Sequence, residues 1–523
     1  MTAWIDLGRA RVALLLLGLM LLLPLGAYGL LEPTETRYAE IAREMRASGD
    51  WLRPRLDGIS HFHKPPLAYW AAGAGMGVLG ENAAGARLFV VLASMITLAA
   101  TALAVRRRFP SLGVSPAQAI WVLGTMLLFA TLGRTLASDP FLAAAVATYW
   151  ALAPSPWAIA ALGVGFFAKG PVVFVHTALP VLLVALLGRD RRVLGSLGPA
   201  RGWLLFAALG LPWFVIVGLR TPGLLTYLLE NQIWGRFATT EHNRPGPPWY
   251  FVGVLLAGTL PWTAALLAGI ARSWRERVND EARLALAWVF APLVLLSFSG
   301  SKLPAYLLPC FPPVALLAAR GLEARWARLA TAGLLALAIV AGVALGPAAL
   351  GRLLGPEPRL PAVVMLPLVL AALASGWAAL RIGRGRPLDG SLFLAVAYAA
   401  LIVAASPFDA ALGSPRRLAG VLAENRSPGE PVVEVARFNA GLPFYLGETV
   451  RLLEVEREPE FDPARRLDAV LVTRDSLAAL ATRHARVWTL GPAGRCAEIA
   501  EALDLRYTIV ARWRKDALGF VSR

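Results

Sequence analysis

The sequence predicts a polytopic α-helical membrane protein that ends in a small soluble α/β domain. Of its 523 residues, 57% are hydrophobic and only 16% are charged, whereas soluble proteins carry about a quarter charged residues. The mean hydropathy is +0.59. Apolar runs such as residues 11–31 have the roughly 20 residues needed to cross a bilayer core of about 30 Å. Composition therefore excludes an ordinary soluble protein.

We expect about thirteen membrane spans. The first resembles a signal peptide, but its apolar core is longer than usual and no small-residue cleavage site follows, so we interpret it as a retained anchor. The spans at 139–153 and 155–168 are short. The expected spans are residues 11–31, 84–105, 116–133, 139–153, 155–168, 171–187, 202–220, 249–270, 283–299, 303–319, 329–350, 361–381 and 389–407.

The net charge of +17 comes from arginines in short loops between apolar runs. With the N-terminus inside, five arginine clusters fall on one side, as the positive-inside rule requires. This placement predicts contacts with anionic lipid headgroups rather than nucleic acid. With the N-terminus on the cytoplasmic side, it also predicts an odd number of spans and an extracytoplasmic C-terminus. The clusters are Arg106, Arg107 and Arg108; Arg189, Arg191, Arg192 and Arg201; Arg272, Arg275 and Arg277; Arg320, Arg325 and Arg328; and Arg381, Arg384 and Arg386.

The chain divides into a membrane domain, residues 1–407, and a charged C-terminal domain, residues 408–523. In the latter we expect strands at 430–436, 469–473 and 506–513, and helices at 476–485 and 496–504. The domain has no glycine-rich phosphate loop, so we expect no nucleotide cofactor. Cys310 and Cys496 are too far apart in sequence and context to indicate a disulfide framework or a cysteine metal site.

The first outer loop, residues 32–83, is the richest polar segment of the membrane domain. Residues 37–49 predict a helix, with Tyr38, Ile41, Ala42 and Met45 on one face and Gly49 at its end. We expect this helix to lie at the lipid headgroups with its apolar face in lipid, and residues 221–237 to behave similarly. Two such helices on one side would wall a cavity.

Three carboxylates are candidate catalytic groups, because ionisable residues near membrane depth are costly and typically functional. Asp139 begins a span, where a helix cap and a catalytic acid are equally good interpretations, and it can be both. Glu32 and Glu35 follow the first span. Either can act as general base towards an acceptor hydroxyl or amine.

Basic and aromatic residues on the same predicted face suit a phosphate. Arg37 can make bidentate contacts, and Lys64 precedes two stiffening prolines. The alternative is that both are ordinary interface anchors. Lys302 lies at a predicted helix break, and Tyr306 follows one helical turn later. Lys169 is a charged residue at another break between apolar runs.

Histidines offer a possible metal site. His61, His63 and His242 are the histidines of the predicted outer face, and His63 with His242 and a carboxylate would suit a divalent ion such as Zn²⁺, Mg²⁺ or Mn²⁺. Sequence alone does not show that they meet.

Eight motifs in order resemble the bacterial aminoarabinose lipid A transferases and their protein O-mannosyltransferase relatives, which are GT-C fold glycosyltransferases. The resemblance implies transfer of a sugar, with inversion, from a polyprenyl-phosphate donor to a lipid, glycan or protein acceptor. It also implies an outer soluble domain, thirteen spans and a location in the bacterial cytoplasmic membrane. The motifs are RYAEIAREMRASGDWLRPRLDG (37–58), HKPPLAYW (63–70), SDPF (138–141), AKGP (168–171), LPW (211–213), HNRPGPPWYF (242–251), SKLPAYLLP (301–309) and LPFYLG (442–447).

The same resemblance assigns roles to residues. It implies that the catalytic acids are Asp139 and a first-loop carboxylate, Glu35 or Glu32. It implies donor-phosphate contacts from Arg37, Lys64 and Tyr306, to which we add Tyr38 and Lys302, and a metal contact from His242.

The chain departs from the family at two positions. Thr34 stands where relatives usually have an aspartate, and His63 stands where they commonly have a glutamate before Lys-Pro-Pro. An inactive lipid-phosphate-sugar binding protein of the same fold is therefore a second hypothesis. A lipid-linked sugar transporter is a third, less favoured because we find no internal repeat.

Overall fold

The computed structural model describes residues 2–188, 191–235, 246–276, 279–354, 362–455 and 470–523. The chain forms two compact units. The first comprises Met1–Leu25, Arg87–Gly218 and Leu225–Ala405, and the second comprises Gly26–Ala86, Leu219–Leu224 and Ser406–Arg523. The first outer loop thus belongs to the same unit as the C-terminal part of the chain.

Helices make up most of the structure. Their bounds are α1 Thr2–Leu22, α2 Thr34–Ser48, α3 Leu67–Leu79, α4 Ala83–Arg107, α5 Pro116–Gly124, α6 Leu127–Leu132, α7 Asp139–Leu152, α8 Pro156–Lys169, α9 Val172–Val175, α10 Ala178–Gly188, α11 Ala200–Gly210, α12 Pro212–Arg220, α13 Leu224–Tyr227, α14 Tyr250–Gly258, α15 Thr263–Arg275, α16 Asp280–Ser297, α17 Phe311–Gly321, α18 Arg325–Leu354, α19 Ala362–Gly383, α20 Pro387–Ala405, α21 Asp409–Leu412, α22 Arg416–Asn425, α23 Gly441–Leu446, α24 Arg474–Arg483 and α25 Ala493–Ala502. Short 3₁₀ segments occupy Pro110–Leu112, Arg191–Leu197, Pro304–Cys310 and Ser406–Phe408, and a π-helical segment occupies Leu228–Gly235.

Several apolar runs form broken helices rather than continuous spans. The run 202–220 is divided into α11 and α12 at Pro212, and Pro304 begins a 3₁₀ segment before α17, since proline lacks the N–H that a continuous helix needs. Helices α14 and α15 meet at 110°. Among the described residues, five helices are long and apolar enough to cross a bilayer, or six if that bent pair is one span. The protein is a multi-pass membrane protein, and thirteen spans remain a prediction.

Close helix contacts in the first unit depend on glycine. A Cβ on Gly269 would lie 1.7 Å from the carbonyl oxygen of Leu317, and one on Gly321 would lie 1.8 Å from that of Ala265. Helices α15 and α17 therefore approach backbone to backbone, a contact that small residues permit.

The second unit contains a six-stranded sheet in the order β5-β4-β3-β6-β8-β7. Strands β3 to β6 are parallel to their neighbours in this set, and β8 runs antiparallel to β6 and β7. The strands are β1 Arg55–Leu56, β2 Ile59–Ser60, β3 Val432–Val435, β4 Arg451–Leu453, β5 Leu471–Val472, β6 Val487–Gly491, β7 Arg506–Trp513 and β8 Asp516–Ser522.

Apolar layers cover both faces of this sheet. Val432 packs in the layer that includes Leu418 and Leu422 of α22, whereas Val433 packs with Leu477 of α24 on the other face. The strands expected at 430–436, 469–473 and 506–513 are confirmed as β3, β5 and β7, and both expected helices as α24 and α25. Strands β4, β6 and β8 were not expected.

Helix α2 confirms the helix predicted at 37–49, and Gly49 ends it with φ 69°. The expectation that its apolar face lies in lipid is wrong. Ile41, Ala42 and Met45 are fully buried, because α2 packs against α3 and α23 within the second unit.

Candidate active site

Asp139 and Lys169 form a buried ion pair in the first unit. Asp139 is the first residue of α7, after the N-cap residue Ser138, and Lys169 is the last residue of α8. The Lys169 ammonium donates a hydrogen bond to Asp139 Oδ1, and the two side chains are 8% and 9% exposed. The carboxylate thus faces a lysine rather than capping the helix with its side chain. Burying both charges is costly unless they are paired, so the pairing fixes both side chains.

Tyr306 completes this cluster. The Lys169 ammonium lies 4.5 Å from the centre of the Tyr306 ring, a cation–π contact that is strengthened by desolvation. The ring of Phe251 stacks near that of Tyr306, with centroids 6.4 Å apart. One carboxylate, one ammonium and one phenol are therefore held together by three separate elements of the first unit.

Lys302 is held in a different way. Its ammonium donates to the carbonyl oxygen of Ser299 at 2.6 Å, and the residue is 9% exposed. A Cβ on Gly246 would lie 3.0 Å from Lys302 Cδ and 3.4 Å from the ring of Tyr250. The described part of the motif at 242–251 therefore lies against the Lys302 side chain.

The two glutamates of the first outer loop each accept a backbone hydrogen bond within the second unit. Glu35 Oε2 accepts from the Leu31 N–H at 3.0 Å, which holds the chain just before α2. Glu32 Oε1 accepts from the Gly441 N–H at 2.6 Å. Burial of the carboxyl raises the pKa of Glu32 to about 7, against the lowering effect of that hydrogen bond and of Arg37.

The predicted phosphate-binding residues of the second unit lie on and after α2. Arg37 is partly exposed, whereas Tyr38 is buried with its ring 4.9 Å from that of Tyr69. Lys64 is partly exposed just before α3, and Thr34 is exposed at the first residue of α2. Arg37 and Lys64 therefore keep part of their surface accessible to a ligand.

His61 and His63 are both buried, with ring centroids 3.9 Å apart. His242 lies outside the described residues. In the part of the chain that the structure describes, no group of three or more His, Cys, Asp and Glu side chains could hold a metal ion. A metal at His63 therefore stays a prediction that depends on His242 or another ligand outside that part.

Some polar anchors were not foreseen from the sequence. The sequence places Lys169 at a break between two apolar runs but does not indicate its partner. Arg87 and Arg134 are buried, and they donate to the carbonyl oxygens of Leu25 and Pro24, at 3.1 and 2.8 Å. An arginine inside an apolar run is the signal that could have identified Arg87 as such an anchor.

A second buried ion pair lies on α2. Arg43 donates two hydrogen bonds to Glu40, at 2.6 and 2.7 Å, and a third to the carbonyl oxygen of Gly447. Burial, and next the nearby charge of Glu40, raise the pKa of Glu44 to about 8. This face of α2 is a structural network.

Comparisons with known proteins identify relatives of the chain. No family model matches. The chain is 34% identical over 320 residues to the undecaprenyl phosphate-alpha-4-amino-4-deoxy-L-arabinose arabinosyl transferase of Serratia proteamaculans, covering 58% of this chain and 57% of the relative. It is 35% identical over 331 residues to such a transferase of Sodalis glossinidius, covering 58% of each. The chain thus spans a little over half the length of these relatives.

The structural match is more extensive. The crystal structure of ArnT from Cupriavidus metallidurans bound to undecaprenyl phosphate superimposes with a TM-score of 0.79 and 25% identity, over 99% of this chain and 98% of that one. The apo form of the same protein gives 0.80 and 24%. The expected GT-C fold and the expected resemblance are both confirmed. The chain is therefore similar in sequence, over a little more than half its length, to the undecaprenyl phosphate-aminoarabinose arabinosyltransferases, and it shares the fold of ArnT.

Proposed function

We propose that this protein is an inverting membrane glycosyltransferase that moves a sugar from a polyprenyl-phosphate donor to an envelope lipid such as lipid A. The buried Asp139–Lys169–Tyr306 cluster carries this proposal, because charges in an apolar membrane unit are typically functional. The names of the sequence relatives support the sugar and the donor, and the ArnT neighbour binds undecaprenyl phosphate.

In the proposed reaction, an acceptor oxygen or nitrogen attacks the anomeric carbon from the face opposite the donor phosphate. The bond between that carbon and the phosphate oxygen breaks, and polyprenyl phosphate leaves with the electron pair. Asp139 takes the acceptor proton. Lys169 pairs with the Asp139 carboxylate and orients it. Arg37 and Lys64, with Tyr38, Lys302 and Tyr306, stabilise the charge that develops on the phosphate.

We assign the base to Asp139 rather than to Glu32 or Glu35. Both glutamates accept backbone N–H hydrogen bonds, which fits a role in holding the first outer loop. Asp139 faces a side-chain cation on another helix. That arrangement suits a group that must stay charged in an apolar environment.

The test is transfer from a panel of radiolabelled polyprenyl-phosphate sugars to total envelope lipids and proteins. We expect a labelled lipid with the wild type and a loss of about 10² to 10⁴ in rate with Asp139→Asn. Asp389→Asn is the matched control, because Asp389 also lies in the first turn of a helix and is half exposed. Equal rates for Asp139→Asn and wild type would remove Asp139 from the mechanism. No product with any donor, from folded protein, would favour the binding-protein hypothesis that Thr34 supports.

Donor binding is tested separately with Lys64→Ala. We expect an affinity about 10- to 100-fold weaker in nanodiscs, since a charge-assisted contact to phosphate is lost. Lys515→Ala, a change at an exposed lysine, is the control. Unchanged affinity in Lys64→Ala would refute the phosphate role.

We also propose the finer topology: thirteen spans in the bacterial cytoplasmic membrane, a cytoplasmic N-terminus, a membrane domain at 1–407 and an extracytoplasmic domain at 408–523. The positive-inside pattern supports it. Membrane-impermeant labelling of single cysteines introduced at Arg107 and Lys515 of intact cells tests it. We expect labelling at position 515 only. Labelling at position 107 would show that the topology is the reverse of the proposed one.

A divalent metal bound through His63 and His242 is a further proposal for the same enzyme. His63 is buried beside His61, and imidazoles are common Zn²⁺ ligands. Elemental analysis of the purified protein should give stoichiometric metal that falls in His63→Ala. Equal metal content in both proteins would exclude His63 as a ligand.

A further inference from the structure

Two adjoining cavities in the first unit collect arginines from different loops. A cavity of about 760 Å³ is lined by Arg107 and Arg201, together with the turn between α7 and α8. A smaller one of about 220 Å³ is lined by Arg108 and Arg192. The two share Pro154 and Gly195. The fold thus joins two separate arginine clusters of the sequence at one place.

The charge of the larger cavity is not balanced within its described lining. No carboxylate occurs among those residues. The smaller cavity contains two carboxylates. Asp280 pairs with Arg283 at 2.8 Å, and Glu281 accepts from the Ser111 N–H at 2.8 Å and acts with its charge on Arg108. Arg108 donates to the Ser196 hydroxyl. The larger cavity, with Arg107 and Arg201, is therefore the part that is suited to an anion.

Their position is that of lipid headgroups. Arg107 is the last residue of α4, the 25-residue apolar helix, so this end of the span is at the membrane surface. Two tryptophans flank the larger cavity in sequence: Trp157 follows Pro156 of its lining and is 67% exposed, and Trp203 lies two residues after Arg201 and is 39% exposed. Exposed tryptophans are typical of the membrane–water interface.

We propose that these cavities bind the headgroup of an anionic glycerophospholipid of the predicted cytoplasmic leaflet, on the side of the protein opposite the proposed reaction. Basic pockets between helices at this level suit phosphate-bearing headgroups, and a volume of about 760 Å³ exceeds what one phosphate needs. A lipid with two phosphates can contact arginines of both cavities. None of the residues that line the two cavities has a role in the proposed transfer reaction, so the lipid site does not depend on that reaction.

The experiment measures lipid binding to the full-length protein by native mass spectrometry. The probes are diphosphatidylglycerol, neutral phosphatidylcholine, and inorganic phosphate as a competitor. We expect diphosphatidylglycerol to be retained in preference to phosphatidylcholine. The variant Arg107→Gln/Arg201→Gln should bind it at least about tenfold more weakly, because two headgroup-level charges are removed.

The control is Arg106→Gln, an exposed neighbour on the same helix that does not line either cavity. It should bind diphosphatidylglycerol like the wild type, and Arg107→Lys/Arg201→Lys should restore most of the binding. Equal losses in Arg106→Gln and the double glutamine variant would show diffuse surface attraction and overturn the proposal. So would displacement of the lipid by millimolar inorganic phosphate, which would identify a free-anion site. Size-exclusion profiles and thermal midpoints confirm that each variant is folded.

Discussion

Replacing Glu32 by glutamine should remove a pH-dependent loss of stability from the second unit. Burial raises the pKa of Glu32 from its ordinary value of 4.5 to about 7. Between these values the folded chain holds more protons than the unfolded chain, so stability is greatest below pH 4.5 and is lost as the pH rises through about 7. The groups that face Glu32 and its neighbour Glu434 are Thr36, Arg37, Asp57, Asn439, Gly441, Arg514 and Asp516.

The expected magnitude follows from the size of the shift. At about 1.4 kcal/mol per pH unit the full interval corresponds to roughly 3 kcal/mol. Part of the Glu32 residue is solvent-accessible, and solvent screening reduces this figure to roughly 1 to 3 kcal/mol. The glutamine can still accept the Gly441 N–H hydrogen bond but cannot ionise. The stability of Glu32→Gln relative to the wild type should therefore increase by that amount as the pH rises from 4.5 to 8.

The assay uses Cys496, which is buried in the second unit and 2% exposed. The rate at which a thiol reagent labels the Cys496 peptide, quantified by mass spectrometry, reports opening of that unit. Comparing wild type with Glu32→Gln at the same pH cancels the intrinsic reactivity of the thiol. We expect a ratio near one at pH 4.5 that grows at least about fivefold by pH 8. A ratio that stays constant over this range would refute the reasoning, because Glu32 would then ionise as it does in the unfolded chain.

Two further predictions concern stability. Arg43→Met leaves the buried Glu40 carboxylate without its cation, so it should lower the stability of the second unit by roughly 3 kcal/mol in the same labelling assay. Arg46→Met removes a more exposed ion pair and should lower it by under about 1 kcal/mol. Equal losses of stability in the two variants would contradict a buried network. Gly269→Ala should lower the thermal midpoint strongly, because the new Cβ would overlap the Leu317 carbonyl. Gly376→Ala is the control and should leave the midpoint unchanged, because a Cβ there meets nothing within 4 Å. Similar midpoints for the two variants would mean that α15 and α17 separate at little cost.

The sequence predicted the helical regions well because hydrophobic runs and prolines act locally. The run 84–105 forms α4, Ala83–Arg107, which begins one residue earlier and ends two residues later than expected. The number of spans is harder to predict, since several apolar runs form broken helices, as at Pro212 and Pro304. A helix can break in this region only where neighbouring groups form hydrogen bonds with the backbone carbonyls that the break exposes. Which groups do so depends on the tertiary structure and not on the local sequence.

Prediction failed where a helix face had two possible environments. The apolar stripe of α2 at Tyr38, Ile41, Ala42 and Met45 fits lipid and protein equally well by periodicity. The structure buries it against α3 and α23, and α23 lies some four hundred residues along the chain. Periodicity identifies an apolar face, but not what covers it.

The residue types of the candidate site could be predicted from the sequence, but the contacts between those residues could not. Asp139 was recognised because a carboxylate at the start of an apolar run is costly, but its cap and catalytic interpretations could not be separated. The structure places Ser138 at the cap and Lys169 on the carboxylate, a pairing between residues thirty positions apart. Such a pairing depends on the packing of α7 against α8, which no local pattern specifies.

The environments of the carboxylates explain why Asp139 is the strongest candidate for chemistry. Neither Glu32 nor Glu434 forms a salt bridge to a cation among the described contacts. Desolvation of the carboxyl raises the pKa of each, which favours the neutral form. Asp139 has Lys169, and that lysine also contacts Tyr306 rather than a second acid. A purely structural ion pair inside an apolar unit is commonly replaceable by apolar residues at little cost. The Asp139→Asn assay therefore separates the two roles: a folded protein that has lost transfer identifies a charge kept for the reaction.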